Sequence, residues 1–575
     1  MSGISVPDYI STVLKKYDID TVFGIVGIPI VELAESFITN GIKFISFRNE
    51  QSASYAASLY GYLNNKPGVL LTVGGPGLIH ALAGIYNSIE NNWPLIVITG
   101  GIESQQKYKN GFQELNHIAL LNSYMKFTGE LSTENIDLLV YESMRNSMLS
   151  PKGVSFLEIP GDLIHKSVGK NIGDSLAKHK PILVDALTFI PNDDILLETA
   201  KFLYDAMRKR DQNMLVIVGK GAIGASSALR HFINCFNLPF LPTPMAKGII
   251  EDSNELNVSS GRSMALKDAD VILVFGAKLN WILHYGDTPK FKDNVKFIQV
   301  DNNTKTIGLN NQRGLQNSLI GDIESTVKKL TMMINHLQNG QMITYKGLSK
   351  AIKEKILSNA IKLNEKENAT PRVVPNANSL NYNVVFGRLK TLFKDEETIL
   401  VTEGANTMDV ARISFPTDFP QHRIDCGTLA TMGIGLGYAI STKLSKPNKS
   451  VVLIQGDSAF GFSGLELETS VRFNLGLIVV IMNNSGIYHG TTKDHYLKGK
   501  YAPPTILSQN CRYDIVGKGL GCAGYLITNL DELTKYFKLA MIRSIKYKET
   551  SVLNVLIEPG KQGKLEFGWQ SKPRL

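Results

Sequence analysis

The chain is predicted to be an α/β protein built from three doubly wound parallel-sheet domains, and three observations point there. Short β-branched runs, such as residues 451–455 (VVLIQ) and 477–482 (LIVVIM), are bounded by Gly or polar residues, as expected of strands buried on both faces of a parallel sheet. Helix-like segments alternate with such runs along the chain. Finally, 575 residues exceed what one hydrophobic core serves, and polar stretches near 166–181 and 364–381 divide them. The expected units are 1–175, 190–340 and 375–575.

In the first unit, strands are expected at 21–26 (TVFGIV), 43–47 (KFISF) and 68–73 (GVLLTV). The first ends in a tight turn at 27–29, and the second leads into RNEQ at 48–51. The third opens into GGPG at 74–77 and a helix bearing His80. In the second unit, 214–218, 271–275 and 297–300 read as strands, with GKGA at 219–222 after the first and Asp301 after the last. A Gly turn after one strand and an acid after a later one is a nucleotide-like pattern. In the third unit, the strand at 398–402 leads to EGAN at 403–406, and GTLATMG at 427–433 reads as a Gly-rich helix. That motif echoes VGGPGLIHALAGI in the first unit, which suggests two related α/β domains flanking a third.

The stretch 451–488 carries the most chemistry. Its two apolar runs are strands, and Ser463 with Glu466 has the form of a capping box for a helix between them. In a strand–helix–strand unit both strands end at the same sheet edge, where open α/β folds bind ligands. Asp457 follows the first strand and Asn484 the second. One carboxylate, one amide oxygen and a main-chain carbonyl near Gly486 suit Mg²⁺, with phosphate oxygens and water completing an octahedron. Gly at 486 lets the backbone turn close to such an ion.

Composition bounds the rest. Hydrophobic content of 43% and charged content of 20% describe a soluble globular chain without a membrane span. The N-terminus lacks the basic-then-apolar order of a secretory signal. Four dispersed cysteines suggest neither a disulfide framework nor a zinc site. The net charge of +9 contains no run of five like charges, so a generally basic surface without a partner is the first reading, and a polyanionic coenzyme A ester rather than nucleic acid is the partner kept in view. The final residues, Pro573, Arg574 and Leu575, resemble a peroxisomal import tripeptide read by a receptor. Peroxisomal matrix is therefore the expected location, with cytoplasm as the alternative.

GIVGIP at 24–29, RNEQ at 48–51, GGPGLIH at 74–80 and the Gly-Asp…Asn-Asn pattern around 457 and 484 together resemble the thiamine diphosphate-dependent enzymes. LPFLPTPMAKG at 238–248, FGAKLNWILHYG at 275–286, TEGANTMD at 402–409 and GDSAFGFSG at 456–464 are most similar to the 2-hydroxyacyl-CoA lyases, with oxalyl-CoA decarboxylase as the nearest relative. The resemblance implies a thiamine diphosphate-binding fold and cleavage of a 2-hydroxyacyl-CoA to formyl-CoA and a shortened aldehyde, as in fatty acid alpha-oxidation.

It also implies residue roles. Glu50 would hydrogen-bond the aminopyrimidine ring and drive cofactor activation. Pro76, Asn406, Ala430, Met432, Asp457, Ser458, Asn484 and Gly486 would contact the cofactor, and Asp457, Asn484 and Gly486 would hold Mg²⁺. Ala430 replaces the usual Gly, and its carbonyl could accept the cofactor's amino hydrogen if its φ is not positive. Gln113 would face substrate, and Asp301 could meet the ribose of an adenine nucleotide in the central unit. A homodimer or homotetramer is expected. Oxalyl-CoA decarboxylase, a non-catalytic scaffold and a flavin-bearing acetohydroxyacid synthase-like enzyme remain the alternatives.

Overall fold

The computed structural model describes residues 3–169, 188–312, 318–339, 343–371, 379–490 and 503–559. Most of the linker expected at 166–181, and the tripeptide at 573–575, lie outside the described residues.

The apolar runs form three parallel sheets. In the N-terminal unit these are β1 (Ile4–Ser5), β2 (Thr21–Gly24), β3 (Lys43–Ser46), β4 (Gly68–Thr72), β5 (Leu95–Gly100), β6 (Phe127–Glu130), β7 (Val154–Ile159) and β8 (Ser167–Val168). Strands β2 to β7 pair in parallel in the order β3-β2-β4-β5-β7-β6, and β1 and β8 make a separate antiparallel pair. The central sheet comprises β9 (Met214–Val218), β10 (Phe240–Pro242), β11 (Val271–Phe275), β12 (Lys296–Asp301) and β13 (Leu319–Ile320), in the order β10-β9-β11-β12-β13. The C-terminal sheet comprises β14 (Thr398–Glu403), β15 (Arg423–Ile424), β16 (Ser450–Gly456), β17 (Ile478–Asn483), β18 (Ala523–Ile527) and β19 (Ser551–Leu556), in the order β15-β14-β16-β17-β19-β18.

The N- and C-terminal sheets therefore share one strand order. In each, the order reverses between the first and third strands, which opens a crevice at their carboxyl ends. In the C-terminal sheet that crevice lies between the ends of β14 and β16, where Glu403 pairs in register with Gln455. The internal echo does exist at the level of topology, but in a different register from the one the motifs suggested. The counterpart of helix Gly435–Ser445 is Glu50–Asn64, since each precedes the third strand of its sheet.

Two further expectations are corrected. Residues 427–433 are not an α-helix, because Gly427, Ala430 and Gly433 have φ of 69°, 53° and 95°, which no right-handed helix accepts. A short 3₁₀ turn at Gly427–Leu429 is followed by the loop, and the helix begins at Gly435. The Ser463–Glu466 capping box does not form. Ser463 ends one helix, Asp457–Ser463, and Glu466 starts another, Glu466–Arg472, with its carboxylate turned to Arg48. The second linker also starts later than expected, because Ser349 caps a helix, Lys350–Glu367, that runs past Asn364.

Helix Glu50–Asn64 joins the two outer units. It is rich in Ala and Ser and is buried along most of its length, between helices Pro76–Asn91 and Gly435–Ser445. The contact is close enough that a Cβ on Gly84 would lie 2.1 Å from Ser54 Oγ, and one on Gly437 would lie 2.7 Å from Ser52 O. Tyr55 and Tyr438 meet edge to face with centroids 6.3 Å apart, and Asn87 donates to the Tyr438 hydroxyl at 2.7 Å. One continuous core therefore spans both units. Among the described residues, no helix is long and apolar enough to cross a membrane.

Candidate active site

At the C-terminal crevice, oxygen atoms converge. Asp457 opens a helix directly after β16 and is 2% exposed. Its Oδ2 accepts the Gly486 amide at 3.1 Å, and Asn484 Oδ1 accepts that same amide at 3.1 Å, so the two side chains aim at one place. The Ser458 amide donates to Asp457 Oδ1 at 2.9 Å. Asn406, in the first turn after β14, donates to Tyr488 O at 2.7 Å, and Asn484 Nδ2 donates to the same carbonyl at 3.2 Å. Gly486 is crowded, since a Cβ there would lie 2.6 Å from Gly490 Cα.

Burial raises the Asp457 carboxyl to about 6, and the amides of Ser458 and Gly486 offset this only in part. Asn406 Oδ1 is buried with no hydrogen-bond partner among the described residues. A buried carboxylate and amide oxygens, one of them unpaired, fit a hard cation carrying phosphate. Among the described residues, no three His, Cys, Asp or Glu side chains group together, so the donor set differs from a zinc site.

The loop at 430–433 lines the same unit. Ala430 is exposed and left-handed, with φ 53° and ψ 36°, so the proviso of a non-positive φ fails, at a cost of about 1 kcal/mol for an Ala. Met432 is half-buried.

At the N-terminal crevice, Glu50 is the first residue of its helix, and Asn49 caps that helix by accepting the Gln51 amide at 2.7 Å. The Glu50 carboxylate lies 3.3 Å from His80 Nδ1. Pro76 opens the next helix and is exposed, after Gly75 with φ 52°. A Cβ on Gly75 would lie 2.7 Å from Gln113 O, so the structure brings Gln113 against the turn that carries Pro76. Gly75 also donates its amide to His117 Nε2 at 2.9 Å, and Glu158 lies 3.2 Å from His117 Nδ1.

Within the chain, the helix that Glu50 opens reaches the 430–433 loop, since Tyr55 Oη and Thr431 Oγ1 lie 3.1 Å apart. Among the described residues, no hydrogen bond or ion pair joins Glu50 to Asp457, Asn484 or Gly486. Asp301 ends β12 and accepts the Asn303 amide at 2.9 Å, and burial lifts its carboxyl to about 6. The GKGA turn after β9 sends Lys220 into a junction of all three units. There its ammonium donates to Asn91 and, at 3.2 Å, to Thr428 Oγ1, and burial lowers it to about 7.

Two buried acids have surroundings that the sequence does not reveal: Glu403, to which no role was assigned, and Glu466, expected as a local helix cap. Glu403 at the end of β14 receives the amides of Gly433, Ile434 and Gly435. Glu466 receives the Arg48 amide at 3.1 Å, just ahead of Glu50, and the Thr469 hydroxyl at 2.6 Å. Arg472, on the same helix, donates to Ser46 O at 2.9 Å. The available signal was an acid at a strand end or within an apolar helix, but the backbone partners carry no residue type to read.

Comparison with known proteins adds the family. The thiamine pyrophosphate enzyme N-terminal TPP binding domain matches residues 4–120, the central domain 204–330 and the C-terminal TPP binding domain 403–555. The chain is 50% identical to 2-hydroxyacyl-CoA lyase of Saccharomyces cerevisiae over 99% of both chains. It is 37% identical to 2-hydroxyacyl-CoA lyase 1 of Mus musculus, covering 98% of this chain and 96% of that one. Oxalyl-CoA decarboxylase of Escherichia coli follows at 34%, covering 95% and 93%. The protein belongs to the thiamine pyrophosphate enzyme family, in the branch of the 2-hydroxyacyl-CoA lyases.

Proposed function

We propose that this protein is a thiamine diphosphate-dependent carbon–carbon lyase that cleaves 2-hydroxyacyl-CoA to formyl-CoA and a shortened aldehyde. The observation that carries the reading is full-length identity of 50% to a 2-hydroxyacyl-CoA lyase, against 34% to an oxalyl-CoA decarboxylase. The convergent oxygens of the C-terminal crevice support it.

In this reading Asp457, Asn484 and the Gly486 carbonyl hold Mg²⁺, while Asn406 and Ser458 lie beside the diphosphate. Met432 and Pro76 position the rings, the left-handed Ala430 lies on the same loop beside the cofactor, and Glu50 moves the activating proton through its hydrogen bond to the aminopyrimidine. Bound thiamine diphosphate supplies the electron sink for breaking the bond between carbons 1 and 2. Gln113 is a neutral hydrogen-bonder for the substrate's oxygen atoms.

Because the pyrimidine and diphosphate ends of the site lie in different units, likeness to the family supports a complete site shared by two subunits of a homodimer or homotetramer. Apolar side chains near both crevices favour such an assembly: Ile28 is 76% and Phe112 72% exposed in one unit, Leu465 61% and Phe462 53% in the other. The C-terminal tripeptide makes the peroxisome the proposed location through its import receptor. An adenine nucleotide at Asp301 is the proposed ligand of the central unit.

The test is incubation of the pure protein with a 2-hydroxyacyl-CoA, thiamine diphosphate and Mg²⁺. Formyl-CoA and aldehyde are expected. Neither product would overturn the reading, and CO₂ release from oxalyl-CoA alone would establish the decarboxylase instead.

A further inference from the structure

Glu403 is fully buried at the carboxyl end of β14, and no role in the chemistry above uses it. Its surroundings are specific. The carboxylate accepts three successive backbone amides, from Gly433, from Ile434 at 3.1 Å and from Gly435 at 2.9 Å. These amides lie immediately after Met432 and at the start of the 11-residue helix Gly435–Ser445. Gly435 is the only residue type that fits there, because a Cβ would lie 2.3 Å from Glu403 Oε2 and 2.4 Å from Gln455 Oε1. Gln455 is equally buried, and both atoms of its amide lack a partner among the described residues.

The same acid sits three residues before Asn406, separated by Gly404 at φ 94°. Two pieces of the C-terminal crevice thus meet at one carboxylate. One is the first turn of helix Ala405–Ser414, which carries Asn406, and the other is the left-handed loop carrying Ala430 and Met432.

We propose that Glu403 is a positioning residue that sets the 430–433 loop against the Asn406 turn before the cofactor arrives. This rests on the reading of Asn406, Ala430 and Met432 as cofactor contacts. Charge-assisted bonds to three amides hold the backbone at Gly433, which in turn fixes where the Met432 side chain and the Ala430 carbonyl point. The left-handed Ala430 is a conformation that an isolated loop would leave, and the carboxylate clamp keeps it in place. Burial raises the Glu403 carboxyl to about 7, with the three amides opposing that rise, so the acid is kept at a cost to folding.

The experiment combines Glu403→Gln with hydrogen exchange on the cofactor-free protein. The amide variant turns an NH₂ group toward N–H donors. It is expected to weaken thiamine diphosphate binding by roughly tenfold or more and to lower kcat, with KM for the acyl-CoA unchanged. Exchange at Gly433, Ile434 and Gly435 should quicken. Wild-type cofactor affinity and kcat in this variant would overturn the proposal.

Should the variant not fold, the wild type decides. In the absence of cofactor, the three amides must be protected like those of β14, and rapid exchange there would overturn the proposal. A wild type that binds no thiamine diphosphate would defeat the functional reading instead, while leaving the exchange result to judge Glu403.

Discussion

The two outer sheets have the same strand order yet arm different strand ends. In the N-terminal sheet the proposed proton-transfer acid, Glu50, opens the helix after the second strand, is half-buried, and lies against the His80 imidazole. In the C-terminal sheet the proposed cation-holding acid, Asp457, opens the helix after the third strand and is buried, accepting the amides of Ser458 and Gly486. An acid that moves a proton has to be reachable and free to change partners, whereas one that holds a cation gains from burial among fixed oxygens. On the proposed reading, one topology serves both ends of a cofactor because the burial of each strand end is set separately.

The largest expected effects come from removing each acid. Glu50→Gln should lower kcat by about 10²–10⁴ while thiamine diphosphate still binds, because a proton-transfer group is lost and the diphosphate site is intact. Asp457→Asn should abolish Mg²⁺-dependent cofactor binding, measured by calorimetry. Equal binding losses in both variants would erase the distinction between the two ends.

A smaller effect concerns the contact between the units. Burial raises the Glu466 carboxyl from 4.5 to about 7. Below 4.5 it is neutral whether the chain is folded or not. Between 4.5 and about 7 the unfolded chain ionises first, so stability falls as pH rises through that window. Glu466→Gln keeps an oxygen for the Arg48 amide and should flatten that part of the fall in thermal unfolding. An identical pH dependence in variant and wild type would show that Glu466 carries no such linkage.

The smallest effect is at Ala430. Glycine relieves the left-handed backbone, so Ala430→Gly should raise the stability of the cofactor-free protein by up to about 1 kcal/mol in denaturant unfolding. A loss of stability would indicate that the φ of 53° is not a strained state of this loop.

The strands were legible because β-branched runs need a two-sided core, and predicted boundaries lie within a residue or two of the observed ones at β2, β3 and β16. The placement of Asp457 and Asn484 at two neighbouring strand ends was legible because each directly follows an apolar run, and both side chains meet the Gly486 amide. The Gly-rich stretch at 427–433 was misread as helix, since Leu, Ala and Met suit one and only the backbone reveals the positive φ values. Glu466 was mistaken for a local cap because its partner, the Arg48 amide, lies 418 residues away. Glu403 was equally opaque, because a carboxylate that binds main-chain amides leaves no complementary side chain in the sequence.

The account's central claim is that Glu50 of one subunit works with the Asp457 cluster of another. Its most direct test is co-expression of Glu50→Gln and Asp457→Asn chains, followed by assay of the mixed oligomers. A mixed dimer holds one site with both acids intact, so random assembly should restore about a quarter of wild-type activity from two inactive parents. Mixed oligomers as inactive as either parent would place both acids in the service of one chain and contradict the account.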